Sequence, residues 1–284
     1  MTTLFDYCIQ NKEALLNYKQ EAFSWRSRYN EDTLLEIPNF KKVAAEIPSA
    51  IDRSHIVCTI QRGSYYQAFA EILLWGQIGA RPRSNKSKKT EIAGKALKYE
   101  ETKIQMIFKT VSSGHIDEIK KLYASLENKS ENKIEEVGIS YFTKILAFAS
   151  EASSTDFKLL IYDKWTRLIH AHLLFDLKQA EKLKLYYTEN ELRKIVSVSK
   201  NTKKVRTTLI HPKSSESCSA YMNFCTEMDA LSKKISAAVG ESISAFHLEA
   251  FLFGVELRLK GRQNELNPRY WIQTNFAKKY LQLI

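Results

Sequence analysis

The sequence has only four cysteines, Cys8, Cys58, Cys218 and Cys225, and no CxxC pair joins any two of them. Only Cys218 and Cys225 are near each other, so no iron–sulfur cluster, which needs four closely spaced cysteines, is expected. The pair His170 and His172 forms an HxH, which on a helix points its rings to different faces, so no metal is expected there either. There is no apolar run of spanning length and no N-terminal signal pattern, which excludes a membrane span and implies an intracellular chain with reduced thiols. Alternating β patterns are rare and internal repeats absent. The strand candidates are the short runs Val57–Ile60 and Leu159–Tyr162, so the class reads as mainly α.

The 284 residues, 44% hydrophobic and 26% charged, suffice for a buried core, and nothing in them suggests disorder. Net charge is +11. Such an excess favours a polyanionic partner, nucleic acid before acidic membrane, although a lysine-rich composition alone also produces it. Residues 81–89 carry Arg81, Arg83, Lys86, Lys88 and Lys89 without an acid. Read as a loop, this run is either a set of phosphate contacts or a solvated surface. A second basic stretch holds Arg193, Lys194, Lys200, Lys203, Lys204 and Arg206. Because both runs read as loops and not as a basic amphipathic helix, membrane binding is disfavoured.

Residues 1–52 read as an N-terminal helical extension, with Leu4, Tyr7, Cys8, Leu15 and Leu16 on a helical pattern and Pro38 and Pro48 bracketing a short segment. Residues 53–284 read as one body of two packed helical lobes. A helical pattern from Ser54 to Trp75 ends at Gly76 and Gly79, two helices over 91–127 split at Ser112-Ser113-Gly114, and further helices run over 221–239 and 244–259.

The chain is organised around residues 134–163. Val137-Gly138 forms a tight hairpin, about 134–149 with its helix, on which Ile139, Phe142, Ile145, Leu146 and Ala149 form the core face. Lys144 lies on the other side, in a stripe with Val137, Tyr141 and Phe148. The apolar run at 159–162 then delivers Asp163 ahead of Trp165, Leu168, Ile169 and Leu173, where a helix N-cap is expected. By itself Asp163 reads as a plain cap and Lys144 as a snorkelling or phosphate-binding lysine.

The segments VGISYFTKILAFA and LLIYDKWTRLI, with nineteen residues from Lys144 to Asp163, resemble the helix-hairpin-helix DNA glycosylase superfamily, in its bacterial branch with an 8-oxoguanine glycosylase fold. RGSYYQAFAEILLWGQIGARPR at 62–83 and HLEAFLFG at 247–254 resemble their counterparts in that branch, so the likeness runs from about residue 55 onward. It implies a mainly α helix-hairpin-helix fold with at most a few short strands, and a hairpin, Val137, Gly138 and Ser140, that grips the DNA backbone. It also implies Lys144 as nucleophile and Asp163 as the essential carboxylate. One departure is that the hairpin reads Glu136-Val137-Gly138, where most members read Gly-Val-Gly.

A glycosylase breaks an N-glycosidic bond through an oxocarbenium-like transition state, which a carboxylate such as Asp163 stabilises. Desolvation beside Tyr141 and Phe148 would activate Lys144 for Schiff-base chemistry. Base extrusion needs an aromatic pocket or wedge, for which Gln61, Tyr65, Tyr66, Trp75, Tyr141 and Trp165 are candidates, Trp165 first because it stands two residues beyond Asp163. No cofactor is expected. The implied partner is double-stranded DNA containing a modified base, and the implied protein is a cytoplasmic bacterial monomer. Two substrates follow from the resemblance: glucosylated 5-hydroxymethylcytosine in phage DNA, as antiviral defence, or 8-oxoguanine in the host genome. The missing glycine and the N-terminal extension favour the first. A non-catalytic helix-hairpin-helix DNA-binding module is the reading from another class.

Overall fold

The computed structural model describes residues 2–79, 85–127, 133–193, 212–253 and 268–280. It is 71% helical and mainly α, as expected. The chain divides into two compact units, residues 1–20 with 162–284, and residues 21–161.

The first unit opens with α1 (Leu4–Gln10) and α2 (Lys12–Leu16). Thr3 and Asp6 close a reciprocal capping box at the start of α1, which satisfies two of its orphan amides.

The second unit holds the only paired strands among the described residues, β1 (Phe23–Ser24) and β2 (Ala50–Ile51), antiparallel with Phe23 opposite Ile51. Neither strand candidate forms a strand. Val57–Ile60 lies inside a helix, because Asp52 caps it by accepting from the His55 amide at 2.7 Å, and Ile56, Thr59 and Ile60 then bury one helical face. Residues 159–161 are buried but form no regular element, and the Leu159 amide donates to Ser150 Oγ at 2.9 Å in place of a ladder.

This unit's helices are α3 (Glu31–Leu35), α4 (Pro38–Val43), α5 (Arg53–Gln61), α6 (Tyr65–Trp75), α7 (Lys86–Leu97), α8 (Glu101–Ser113), α9 (Ile116–Glu127) and α10 (Ile139–Glu151). Gly114, at φ +72°, ends α8 in the left-handed region. α10 packs on α5, α6 and α8, and every residue from Phe142 to Ser150 is buried. The expected one-sided helix is therefore enclosed nearly all round. Each large apolar side chain so buried contributes about 1.5–3 kcal/mol.

Glu71 on α6 is fully buried, taking Gln67 Nε2 at 2.9 Å and His55 Nε2 at 3.0 Å on Oε1, while Oε2 has no hydrogen-bond partner among the described residues. Burial pushes its pKa above the usual carboxylate value. A carboxyl raised in the folded state contributes stability that is full below pH ~4.5 and is lost as pH rises through the folded pKa. Glu71→Gln keeps an oxygen for the partners and removes this dependence. Its melting temperature is therefore expected to exceed that of the wild type by a margin that widens from pH 5 to 8. A constant margin would mean that Glu71 does not titrate upward.

The remainder of the first unit contains α11 (Lys164–Asp176), α12 (Ala180–Tyr186), α13 (Ser217–Val239), α14 (Ala245–Phe253) and α15 (Pro268–Tyr280). α11 is its hub, packing on α1, α12, α13, α14 and α15. Asp176, at the end of α11, accepts the Leu4 amide at 2.6 Å, pairs with Lys279 of α15 and lies 3.2 Å from His172 Nδ1, which ties α1 and α15 to the hub.

Candidate functional site

Asp163 is the N-cap of α11, as expected from the sequence. Its Oδ1 accepts the amides of Trp165 at 2.7 Å and Thr166 at 3.2 Å, and Thr166 Oγ1 accepts the Asp163 amide at 2.8 Å, closing a capping box. Oδ2 makes no hydrogen bond with any described residue, and the side chain is 7% exposed. The carboxylate thus has one oxygen clamped and one not engaged, at the helix end where the macrodipole favours negative charge.

The residue before it is held as firmly. Tyr162 is fully buried, and its hydroxyl lies 2.6 Å from that of Tyr187 and 3.0 Å from His170 Nδ1. Tyr187 reaches the same nitrogen at 2.8 Å, and His170 Nε2 meets Asn223 Oδ1 at 3.0 Å. Burial drives the His170 pKa down to about 4, so at neutral pH it is an uncharged imidazole. Its Nε2–H donates to Asn223, and its Nδ1 accepts from one phenol, which in turn accepts from the other. Arg167 donates to the Tyr162 carbonyl at 3.3 Å and lies over the Tyr162 ring at 5.4 Å.

Lys144 belongs to α10 in the other unit. It is 7% exposed, and Nζ donates to Ser140 O at 3.1 Å and Ser140 Oγ at 3.2 Å, 5.1 Å from the Tyr141 ring centroid. The expected desolvated setting beside Tyr141 is present, and Ser140 is a direct partner. Gly76 makes room for the lysine: a Cβ there would lie 3.0 Å from Lys144 Cδ and 3.2 Å from Tyr141 Cε1. The next residue, Gln77, is left-handed at φ +57°, and its carbonyl accepts the Tyr141 hydroxyl at 2.9 Å. Gly76 was visible in the sequence as a helix terminator, but its close approach to Lys144 was not.

In the hairpin, the Val137 amide donates to Ile134 O at 3.1 Å, and Glu136 has φ +62°. The residue that replaces the expected glycine therefore occupies the left-handed position that favours glycine. Glu135 and Glu136 come within 3.9 and 3.8 Å of Lys95 Nζ. Glu136→Gly is expected to relieve about 1 kcal/mol of backbone strain and raise the melting temperature by a few degrees. A lower melting temperature would show that the Lys95 contacts outweigh the strain.

The other candidates are dispersed. Lys86, Lys88 and Lys89 lie on the first turns of α7, not on a loop, because Asn85 accepts the Lys88 amide and starts a helix there; Arg81 and Arg83 are outside the described residues. Of the second basic stretch only Arg193 is described, paired with Glu189 at 2.6 Å. Tyr66 is core, its hydroxyl on Leu97 O, and Trp75 packs edge-on against Phe148 at 5.1 Å. Tyr65 stacks on Phe108 at 5.3 Å, and Gln61 is exposed. Trp165 is half-buried, with the Arg269 guanidinium 4.4 Å from its centroid; that guanidinium is also 4.1 Å from Phe253 and donates through Nε to Phe253 O. A base stacking on that face of Trp165 would have to compete with Arg269, a partner the sequence did not reveal. No cluster of metal-ligating side chains occurs among the described residues.

No curated protein and no solved structure matches the chain. A family model described as "Putative 8-oxoguanine DNA glycosylase OGG-like protein" matches residues 17–253, more than four fifths of its length. That span contains the hairpin, Lys144 on α10 and Asp163 at the start of α11. The chain belongs to this OGG-like DNA glycosylase family, within the superfamily of glycosylases with the 8-oxoguanine glycosylase fold.

Proposed function

We propose that this protein extrudes a modified base from double-stranded DNA and cleaves its N-glycosidic bond, with Asp163 as the carboxylate that stabilises positive charge on the sugar. The observation that carries this reading is the setting of Asp163 in a family of DNA glycosylases: one oxygen clamped by two amides, the other without a hydrogen bond to any described residue. A fixed negative charge costs no reorganisation when an oxocarbenium-like transition state develops. Lys144, desolvated against Tyr141 and held by Ser140, is the amine that would attack the sugar and open a strand-cleaving branch. The hairpin and the α7 lysines would meet the DNA backbone, and under that role Glu136→Gly also tightens DNA binding severalfold by removing a charge that repels phosphate.

Two substrates have support. The family description favours oxidised guanine. The left-handed, acidic Glu136 favours a specialised enzyme, whose target would be glucosylated 5-hydroxymethylcytosine in phage DNA. The test is incubation of the purified protein with DNA carrying normal, oxidised or glucosylated bases, scored for alkali-labile abasic sites. Sites on one modified DNA only would name the base. Binding to all three with no sites on any would replace the glycosylase by a DNA-holding module.

A further inference from the structure

We propose that Tyr162, Tyr187 and His170 are positioning residues that fix Asp163 for base excision; this rests on the glycosylase reading above. The three side chains are 0–1% exposed and lie within hydrogen-bond distance of one another, at 2.6, 2.8 and 3.0 Å. Three polar groups closed on each other away from water resist displacement, because any shift leaves a buried donor or acceptor unpaired.

The ring anchors the backbone. Tyr162 packs on Tyr221 at 5.6 Å and Phe224 at 5.3 Å, both from α13, so its side chain is pinned by that helix while its carbonyl is held by Arg167. Asp163 is one peptide bond further on. A helix cap alone would be satisfied by Thr166 and the Trp165 amide; it needs no phenol–imidazole cluster behind it. The cluster also draws on distant parts of the unit: Tyr187 bridges to Pro212, and Asn223 belongs to α13. Asn223 Nδ2 in turn meets Glu227 Oε1 at 3.4 Å. The position of Asp163 is therefore set by tertiary structure and not by α11 alone.

The hydroxyls are partly redundant. With Tyr187→Phe, the Tyr162 hydroxyl remains within 3.0 Å of His170 Nδ1. With Tyr162→Phe, Tyr187 remains at 2.8 Å. Only the double variant leaves that nitrogen without either phenol.

The test compares the wild type, the two single variants and Tyr162→Phe/Tyr187→Phe by two readouts. The first is hydrogen exchange of the Trp165 and Thr166 amides, which donate to Asp163 Oδ1 and need no substrate. The second is single-turnover base release at saturating DNA, alongside the dissociation constant. The double variant is expected to exchange these amides about tenfold faster and to release base about tenfold more slowly, with DNA affinity within twofold. Each single variant shifts both readouts in the same direction by less, and carries the test if the double variant does not fold. Unchanged exchange, or an unchanged release rate in a wild type that does release base, overturns the proposal. Faster exchange in a protein whose wild type releases no base supports the tether and overturns the glycosylase reading, so the two failures are separable.

Discussion

Asp163→Asn is expected to lower base excision by about 10²–10³-fold while leaving folding and DNA binding nearly intact. Asparagine caps a helix about as well as aspartate, so the amides of Trp165 and Thr166 keep an acceptor and α11 keeps its start. What disappears is the charge that faces a developing cation. Asp163→Ala provides the contrast: it removes the cap as well and costs about 1 kcal/mol of stability. If Asp163 were only a cap, the two variants would rank by stability, with asparagine harmless. If it is the functional carboxylate, asparagine is inactive and stable. Single-turnover release and thermal melting on the same preparations separate the two.

Lys144→Met is expected to eliminate any adduct trapped by borohydride with abasic-site DNA. Methionine keeps the aliphatic stem that packs at Gly76 and Tyr141 while removing the ammonium held by Ser140, so stability changes by less than about 1.5 kcal/mol. Gly76→Ala approaches the same point sterically, since its Cβ would press on Lys144 Cδ, and is expected to cut trapping severalfold with the lysine still present. Trapping that survives in Lys144→Met would place the nucleophile on another amine. Loss of trapping with base release intact would mean that excision runs by water and that Lys144 serves strand cleavage alone.

Local signals in the sequence were enough to place Asp163. An aspartate ahead of a helical apolar pattern is a cap on grounds of backbone chemistry, and the structure has it there. The split at Gly114 and the scarcity of strands were legible for the same reason. Lys144 was legible as a lysine among aromatics but not as an enclosed one, because periodicity on α10 does not report that α5, α6 and α8 surround it. Val57–Ile60 was misread because a β-branched run looks alike in a strand and in a buried helix face, and the Asp52 cap decided the matter. Lys86, Lys88 and Lys89 read as loop from charge alone, although Asn85 carried the helix-start signal. The network behind Asp163 was out of reach of sequence reasoning. His170, Tyr187 and Asn223 meet only through tertiary packing, and in the sequence His170 stood out only as half of an unlikely metal pair.

The role of Asp163 in base excision is tested most directly by mass-spectrometric detection of free base released from duplexes carrying 8-oxoguanine, glucosylated 5-hydroxymethylcytosine or normal bases, by the wild type and Asp163→Asn in parallel. One modified base is expected in the supernatant with the wild type and none above background with the variant, at equal DNA binding. Release of the same base at the same rate by Asp163→Asn would contradict that role.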